Sequence, residues 1–574
     1  MTAAAPSPKR RLWGPNEYVP YTPTAWHRDH RVAIGGILGF SAISLTLAIL
    51  GPSAVTLVLG PRDGSLLPPW YGPALPQRPN EWVVCIAAWV AILLGGASLL
   101  IALRALDAGW RPRPRRLCTM GTVLALLHAV VPPLTSADVL MYAAYGRLQL
   151  IGRNPYEITP AEVFRSQYDP VMEWTERPWE DTPSVYGPIV SWLQLAANHL
   201  GGENMHDIVF WLQLFHVLAF LGACAATIWI ARGDRDRLNR AILMTVANPL
   251  MIWGIVISAH NEALSVIFAV GGMMLMRRSA LGAGLGIGLA GCAKLSIGLW
   301  GLAMLWAYRK QPKKAALLCL GAAIPMSLAY GLWQPQALVS VLRNGSYVSG
   351  GSWAQPVSRF FDHVMLLDTT TAKLLTGIIS YSLLVVLVIV LWRLLPWSAV
   401  PGIAPDTSPR DDVMTVAVRA ALVLSVAWLV SAMYTLSWYD LIAFVPLGVL
   451  ASSRLDVIMI VRNTFLSVAY VPGRVVDLSD QLDTVVTQVR ETVSPVVQLG
   501  VVVAIFAWAV ERRRSRRRGD PAAEGAGSNV MTSDGAPSDG ADGADRGATD
   551  EDPSPDRGDR SGATGTVDRT TLAT

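Results

Sequence analysis

The 574-residue chain has 47 Lys and Arg against 42 Asp and Glu, a formal net charge of +5 at pH 7, and 52% hydrophobic residues. Only 16% of its residues are charged, against about 25% in ordinary soluble domains. With a mean hydropathy of +0.38, this composition excludes a soluble globular enzyme and a nucleic-acid binder; it describes an all-α, polytopic membrane protein.

Residues 1–31 are polar and basic and lack the apolar core and cleavage site of a signal peptide, so they are expected to be a cytosolic leader. Apolar runs then follow closely. Val32–Leu50, Trp82–Arg104 and Leu117–Leu134 make three spans over 32–134, with the arginines at 111, 113, 115 and 116 marking an inner loop. Residues 135–205 form a long outer loop. Its apolar end, Pro188–Leu200, is too short to span comfortably and is expected to lie at the interface. A central bundle (206–333), a second outer loop (334–372) and a C-terminal bundle (373–511) complete the membrane part. Together they predict about 12–14 membrane helices with both termini inside. Residues 512–574 open on an Arg cluster and continue as Gly, Ser, Ala, Asp and Pro, a composition expected to be disordered. The five cysteines lie in or beside apolar runs, without the spacing of a disulfide framework or a zinc site.

The chemistry is expected in the outer loops. Asp138, Tyr142 and Tyr145 fall on one helical face just where an apolar run meets a polar loop, and Arg147 follows. An ionisable group at the membrane boundary is a functional candidate, although Asp138 could equally be a helix cap. Arg153-Asn154-Pro155 reads as a turn. Carboxylates from Asp169 to Asp181 could bind a divalent metal through oxygen ligands, but they lack calcium-loop spacing, so a solvated face is the expected reading. Tyr186-Gly187-Pro188 leads into the next helix. Asn248-Pro249 interrupts a span. That span ends at His260-Asn261-Glu262, which is either a polar cap or a functional group whose histidine contacts a phosphate or tunes a neighbouring carboxylate. Lys294, flanked by apolar residues, must snorkel or find an anion. The Gly- and Ser-rich stretch Asn344–Phe361 suits a substrate loop. Trp438 and Tyr439 are either interfacial belt residues or a sugar-stacking surface.

This set resembles the membrane glycosyltransferases of the GT-C class, and in particular the actinobacterial polyprenol-phosphate-mannose-dependent α-1,6-mannosyltransferases of lipomannan assembly. The residues that carry the resemblance are Ser136-Ala137-Asp138 with Tyr142, Tyr145 and Gly146, then Gly152-Arg153-Asn154-Pro155-Tyr156, Tyr186-Gly187-Pro188, Asn248-Pro249, His260-Asn261-Glu262 and Ser437-Trp438-Tyr439-Asp440. The resemblance implies a GT-C helix bundle in the plasma membrane with an extracytoplasmic active site. It implies a polyprenyl-phosphate mannose donor, a mannan or lipomannan acceptor, contact with membrane lipid, and no cofactor or nucleic acid. It makes Asp138 the catalytic base. Lys294, Arg147 and His260 become phosphate candidates. Tyr142, Tyr145, Asn154 and Trp438 become sugar candidates, with Arg153, Tyr186, Asn261, Glu262 and Tyr439 further substrate contacts. An arabinosyl or glucosyl donor, or a flippase or transporter of lipid-linked sugar, is the alternative.

Overall fold

The computed structural model of the chain describes residues 20–61, 78–176, 179–343 and 347–518. Most of the expected leader, the start of the Asn344–Phe361 loop (344–346) and the tail beyond 518 lie outside the described residues. Eight segments are long and apolar enough to cross a membrane. They are His30–Ile49 (α1), Glu81–Asp107 (α2), Met205–Ala231, Arg235–Ile257, Pro312–Trp333, Thr369–Leu394, Val413–Ser431 and Asp480–Arg517. Four shorter apolar helices, Glu262–Leu275, Ala280–Ala293, Leu295–Ala307 and Ser437–Val449, pack among them. The chain is therefore a multi-pass α-helical membrane protein.

Two of the runs expected to span fold shorter than a bilayer. Pro114–Ala129 (α3) has 16 residues, a length of about 24 Å at 1.5 Å per residue, against about 30 Å of hydrocarbon. It stops before Pro132-Pro133, which can neither donate to a helix nor let the preceding residue stay helical. Arg454–Ala469 is also 16 residues long and turns Arg462 and Asn463 into the protein interior, where both are 0% exposed. The span Arg235–Ile257 is interrupted at the expected place. Asn248 caps a new turn by accepting from the Leu250 and Met251 amides, with Pro249 in the first helical position, where its missing N–H costs nothing.

The basic loops gather at one end of the bundle and are tied to each other by ion pairs. Arg111 meets Asp236 at 2.5 Å, Arg240 meets Asp456 at 2.5 Å, and Arg277 meets Asp412 at 2.7 Å. The loops rich in aromatics and carboxylates are tied to one another in the same way. Arg147 holds Asp169 and Glu203, and Arg474 holds Glu176.

Three elements position the site. Asp138–Leu150 (α4) is short and almost wholly buried. Pro188–Gly201 (α5), of 14 residues, packs against it; Asn198 donates to the Ala143 carbonyl at 2.9 Å, and a Cβ at Gly146 would run into the Gln194 carbonyl. The Gly-rich helix Ala280–Ala293 uses Gly284 and Gly288 to lie against the backbone of Pro312–Met326, and Gly286 to lie against Gly272 on its other side. Small residues at these crossings let the backbones approach closely, which is how helices associate in lipid. That packing delivers Lys294, at the end of the helix, to the cavity described next.

Candidate active site

Two cavities of about 410 and 370 Å³ meet at one carboxylate. Asp138, Trp179, Tyr347, Tyr434 and Leu436 line both of them. The larger is walled by Tyr142, Tyr145, Tyr186, Trp438 and Tyr439, with Glu262 and Lys294 as its other charged groups. It also reaches Tyr381 and Leu384, near the middle of the 26-residue spanning helix Thr369–Leu394, and Tyr381 is 71% exposed on that helix. The cavity thus runs from Asp138 to the exposed face of a helix long and apolar enough to cross a membrane. The smaller cavity passes Gly350, Gly351, Tyr470, Arg474 and Arg490.

Asp138 opens α4, at the positive end of the helix dipole, where a carboxylate is favoured. Its Oδ2 lies 3.5 Å from His260 Nε2. Two backbone turns bring these residues together. The Leu134 amide donates to the Ile257 carbonyl at 2.9 Å, and the Thr135 and Ser258 hydroxyls are 3.3 Å apart. Ser136 Oγ is 3.0 Å from His260 Nε2. Thr135 (φ 54°) and Ala259 (φ 52°) are both left-handed, although neither is glycine. Such residues cost of order 1–3 kcal/mol each and persist only where their surroundings enforce them. Gly473 (φ +71°) presses against the Thr135 carbonyl, where a Cβ would collide. Gly473→Ala is expected to lower both the melting temperature and the turnover rate, because it must move the turn that carries Asp138; thermal unfolding and single-substrate kinetics check this.

Lys294 pairs with Glu262 Oε1 and lies over the Tyr439 ring at 4.3 Å. Tyr142 meets Tyr186 edge to face, with centroids 5.0 Å apart, and Tyr145 donates to the Thr182 carbonyl at 2.8 Å. Burial, reinforced by the nearby Asp138 charge, pushes the Tyr186 and Tyr434 phenols well above their ordinary range. Both therefore remain hydrogen-bond donors at neutral pH.

Of the residues singled out from the sequence, Asp138, Tyr142, Tyr145, Tyr186, Glu262, Lys294, Trp438 and Tyr439 converge on the larger cavity. Five others do not. Arg147 is spent on Asp169 (2.7 Å) and Glu203 (2.8 Å), bracing the outer segment behind α4. Arg153 is exposed in a turn, and Asn154 makes that turn by accepting from the Tyr156 amide at 3.1 Å. His260 is 0% exposed and lies behind Asp138, stacked on Trp438 with ring centroids 3.5 Å apart, so it faces neither cavity. Asn261 is buried beside it. Trp179, Tyr434, Tyr470, Arg474 and Arg490 line cavities but carry no local sequence signal. Arg474, for example, holds Glu176, 298 positions away in the chain.

The fold and site together define a multi-pass membrane protein with a carboxylate-centred, aromatic-walled cavity that reaches the exposed face of a spanning helix. Residues 38–326, half of the chain, match the family described as alpha-(1->6)-mannopyranosyltransferase, N-terminal domain, and the chain belongs to that family. An alpha-(1->6)-mannopyranosyltransferase of Mycobacterium tuberculosis is 30% identical over 139 residues, 24% of this chain and 23% of its own. The alpha-(1->6)-mannopyranosyltransferase B of Corynebacterium glutamicum is 26% identical over 176 residues, 31% of this chain and 27% of its own. The chain thus spans about a quarter of the length of these curated relatives. No solved structure matches.

Proposed function

We propose that the chain is a membrane mannosyltransferase that moves mannose from a polyprenyl-phosphate donor to a mannan acceptor, forming an α-1,6 linkage in lipomannan-type envelope glycans. The observation that carries this reading is Asp138 at the junction of two cavities, one of which reaches the exposed face of a spanning helix. A lipid-linked donor suits the first cavity: its tail lies along Tyr381 and Leu384 and its sugar against the tyrosines near Asp138. The acceptor enters through the second. Its Trp179, Tyr347 and Tyr434 rings offer flat apolar faces to a sugar, as aromatic side chains do.

The reaction is one displacement. The acceptor oxygen bonds to the anomeric carbon as the bond from that carbon to the phosphate oxygen breaks. Asp138 takes the acceptor proton, a contribution of about 10²–10⁴-fold for a positioned general base. The polyprenyl phosphate leaves with the electron pair and needs no acid. A β-linked donor and an α-linked product require this single inversion, with no covalent intermediate. Lys294 supplies the compensating positive charge. Its ammonium has three donors, so it holds Glu262 and a phosphate oxygen at once. Lys294→Ala is expected to raise the donor KM about tenfold or more, since a hydrogen bond to a charged group is worth about 1.5–3 kcal/mol. Donor titration in single-turnover assays measures it, and an unchanged KM would remove Lys294 from the phosphate.

The site faces outward and the basic loops face the cytosol, in keeping with the positive-inside bias of the Arg clusters. A cysteine replacing the 68%-exposed Tyr168 should react with an impermeant thiol reagent added to intact cells. Protection there would reverse the orientation. The decisive assay for function is purified protein with polyprenyl-phosphate mannose and a short mannan. Elongation without energy input supports the transferase, whereas donor movement across a bilayer without elongation makes the chain a flippase.

A further inference from the structure

His260 is completely buried and faces neither cavity, yet every polar atom of its ring has a defined partner. Nδ1 is 2.7 Å from the Gly254 carbonyl. A carbonyl only accepts, so Nδ1 carries the hydrogen, and in the neutral ring Nε2 is a bare acceptor. The Ser136 hydroxyl therefore donates to Nε2 at 3.0 Å. That leaves the serine oxygen free to accept the Asp138 backbone N–H at 3.3 Å. The chain Gly254 carbonyl, His260, Ser136, Asp138 amide uses each hydrogen once, and it orients the first turn of α4. It works only while His260 is neutral.

Protonation at Nε2 would reverse that wiring. The new N–H points into the space shared by Ser136 Oγ and Asp138 Oδ2, which is 3.5 Å away. The serine hydroxyl must then turn away, and the carboxylate gains a charged donor that competes for its basic lone pair. The titratable groups around this ring are Asp138, Glu262 at the start of the helix that follows, His216, which shares the Ala259 turn through that residue's carbonyl (2.9 Å), and Tyr470, which reaches Ser136. Among them only Asp138 is within ion-pair distance of the ring.

We propose that His260 is the positioning residue of Asp138: the neutral Nδ1–H form presents the carboxylate as a free base through Ser136, and protonation at Nε2 captures that carboxylate and switches transfer off. The inference rests on the reading of Asp138 as the base.

The test compares His260→Ala and His260→Gln with the wild type. Gln places an amide oxygen where Nε2 stands, so it accepts from Ser136, but it cannot be protonated. His260→Ala is expected to lose about 10²-fold in kcat, the cost of a misplaced catalytic group, with the donor KM unchanged. His260→Gln should restore most of that loss and keep its activity further into acid than the wild type, until Asp138 itself takes a proton. A Gln variant that keeps the wild-type acidic limb, or an Ala variant with wild-type kcat, overturns the proposal. A matching loss in both variants together with a lower melting temperature also overturns it, since that is what a purely structural histidine gives. Nitrogen NMR of histidine-labelled protein tests the wiring without turnover. The signal lost in His260→Gln must be the Nδ1–H tautomer at neutral pH and must shift in Asp138→Asn; an Nε2–H signal refutes the wiring. Wild-type protein that shows the Nδ1–H tautomer but transfers no mannose would leave the wiring standing and remove the mannosyltransferase reading.

Discussion

Asp138→Asn is expected to abolish measurable transfer, a loss of about 10²–10⁴-fold or more, while leaving the melting temperature near that of the wild type. The asparagine amide is isosteric and remains at the start of α4, 3.5 Å from a histidine that is not its only neighbour. Its nitrogen cannot take a proton from an acceptor hydroxyl. The donor should still bind, because Lys294 and the tyrosines of the larger cavity are untouched. Turnover in detergent or nanodiscs, alongside donor binding, separates the two effects. Residual activity within tenfold of the wild type would exclude Asp138 as the base and direct attention to Glu262, the other carboxylate on that cavity.

Arg462→Met should have the largest effect on stability. Arg462 and Asp440 are both 0% exposed and ion-paired. The same guanidinium also donates to the Leu429 carbonyl at 2.7 Å and to Thr435 Oγ1 at 2.5 Å. Asn463 donates to the second Asp440 oxygen at 3.0 Å and to the Ser437 carbonyl at 2.6 Å. Removing the arginine strands a buried carboxylate, which costs about 3–5 kcal/mol, whereas replacing both partners with apolar residues is often neutral. The single variant should therefore melt well below the wild type, and Arg462→Met with Asp440→Leu should recover much of the loss. Activity should not recover in parallel, because the network holds the segment carrying Tyr434, Trp438 and Tyr439 against the cavity. Equal recovery of melting temperature and activity would show that the pair contributes only to folding.

Asp440 shows what a local motif leaves open. In the sequence it belongs to a polar group at a helix end, beside Trp438 and Tyr439. In the fold those two aromatics face the cavity, while Asp440 turns away to pair with Arg462. Arg147 and His260 diverge from expectation in the same manner. Each is a sound phosphate candidate by residue type and position, yet one is consumed by Asp169 and Glu203 and the other lies buried beneath Asp138. Lys294 was easier to read. A lysine set between apolar runs has little choice but to reach an anion or water, and the cavity is where it does so.

The sequence by itself determined the membrane class, most of the spanning segments, the break at Asn248-Pro249, and the face shared by Asp138, Tyr142 and Tyr145. All of these follow from transfer energies and helical periodicity, which are properties of short contiguous segments. Only the tertiary structure decided which polar groups share a cavity, that Arg474 locks Glu176 from the far end of the chain, and that His260 lies buried behind Asp138. Those outcomes depend on how close helices and loops distant in sequence come to each other. That approach is set by small-residue crossings and by the need of every buried charge for a partner, neither of which leaves a local pattern to read.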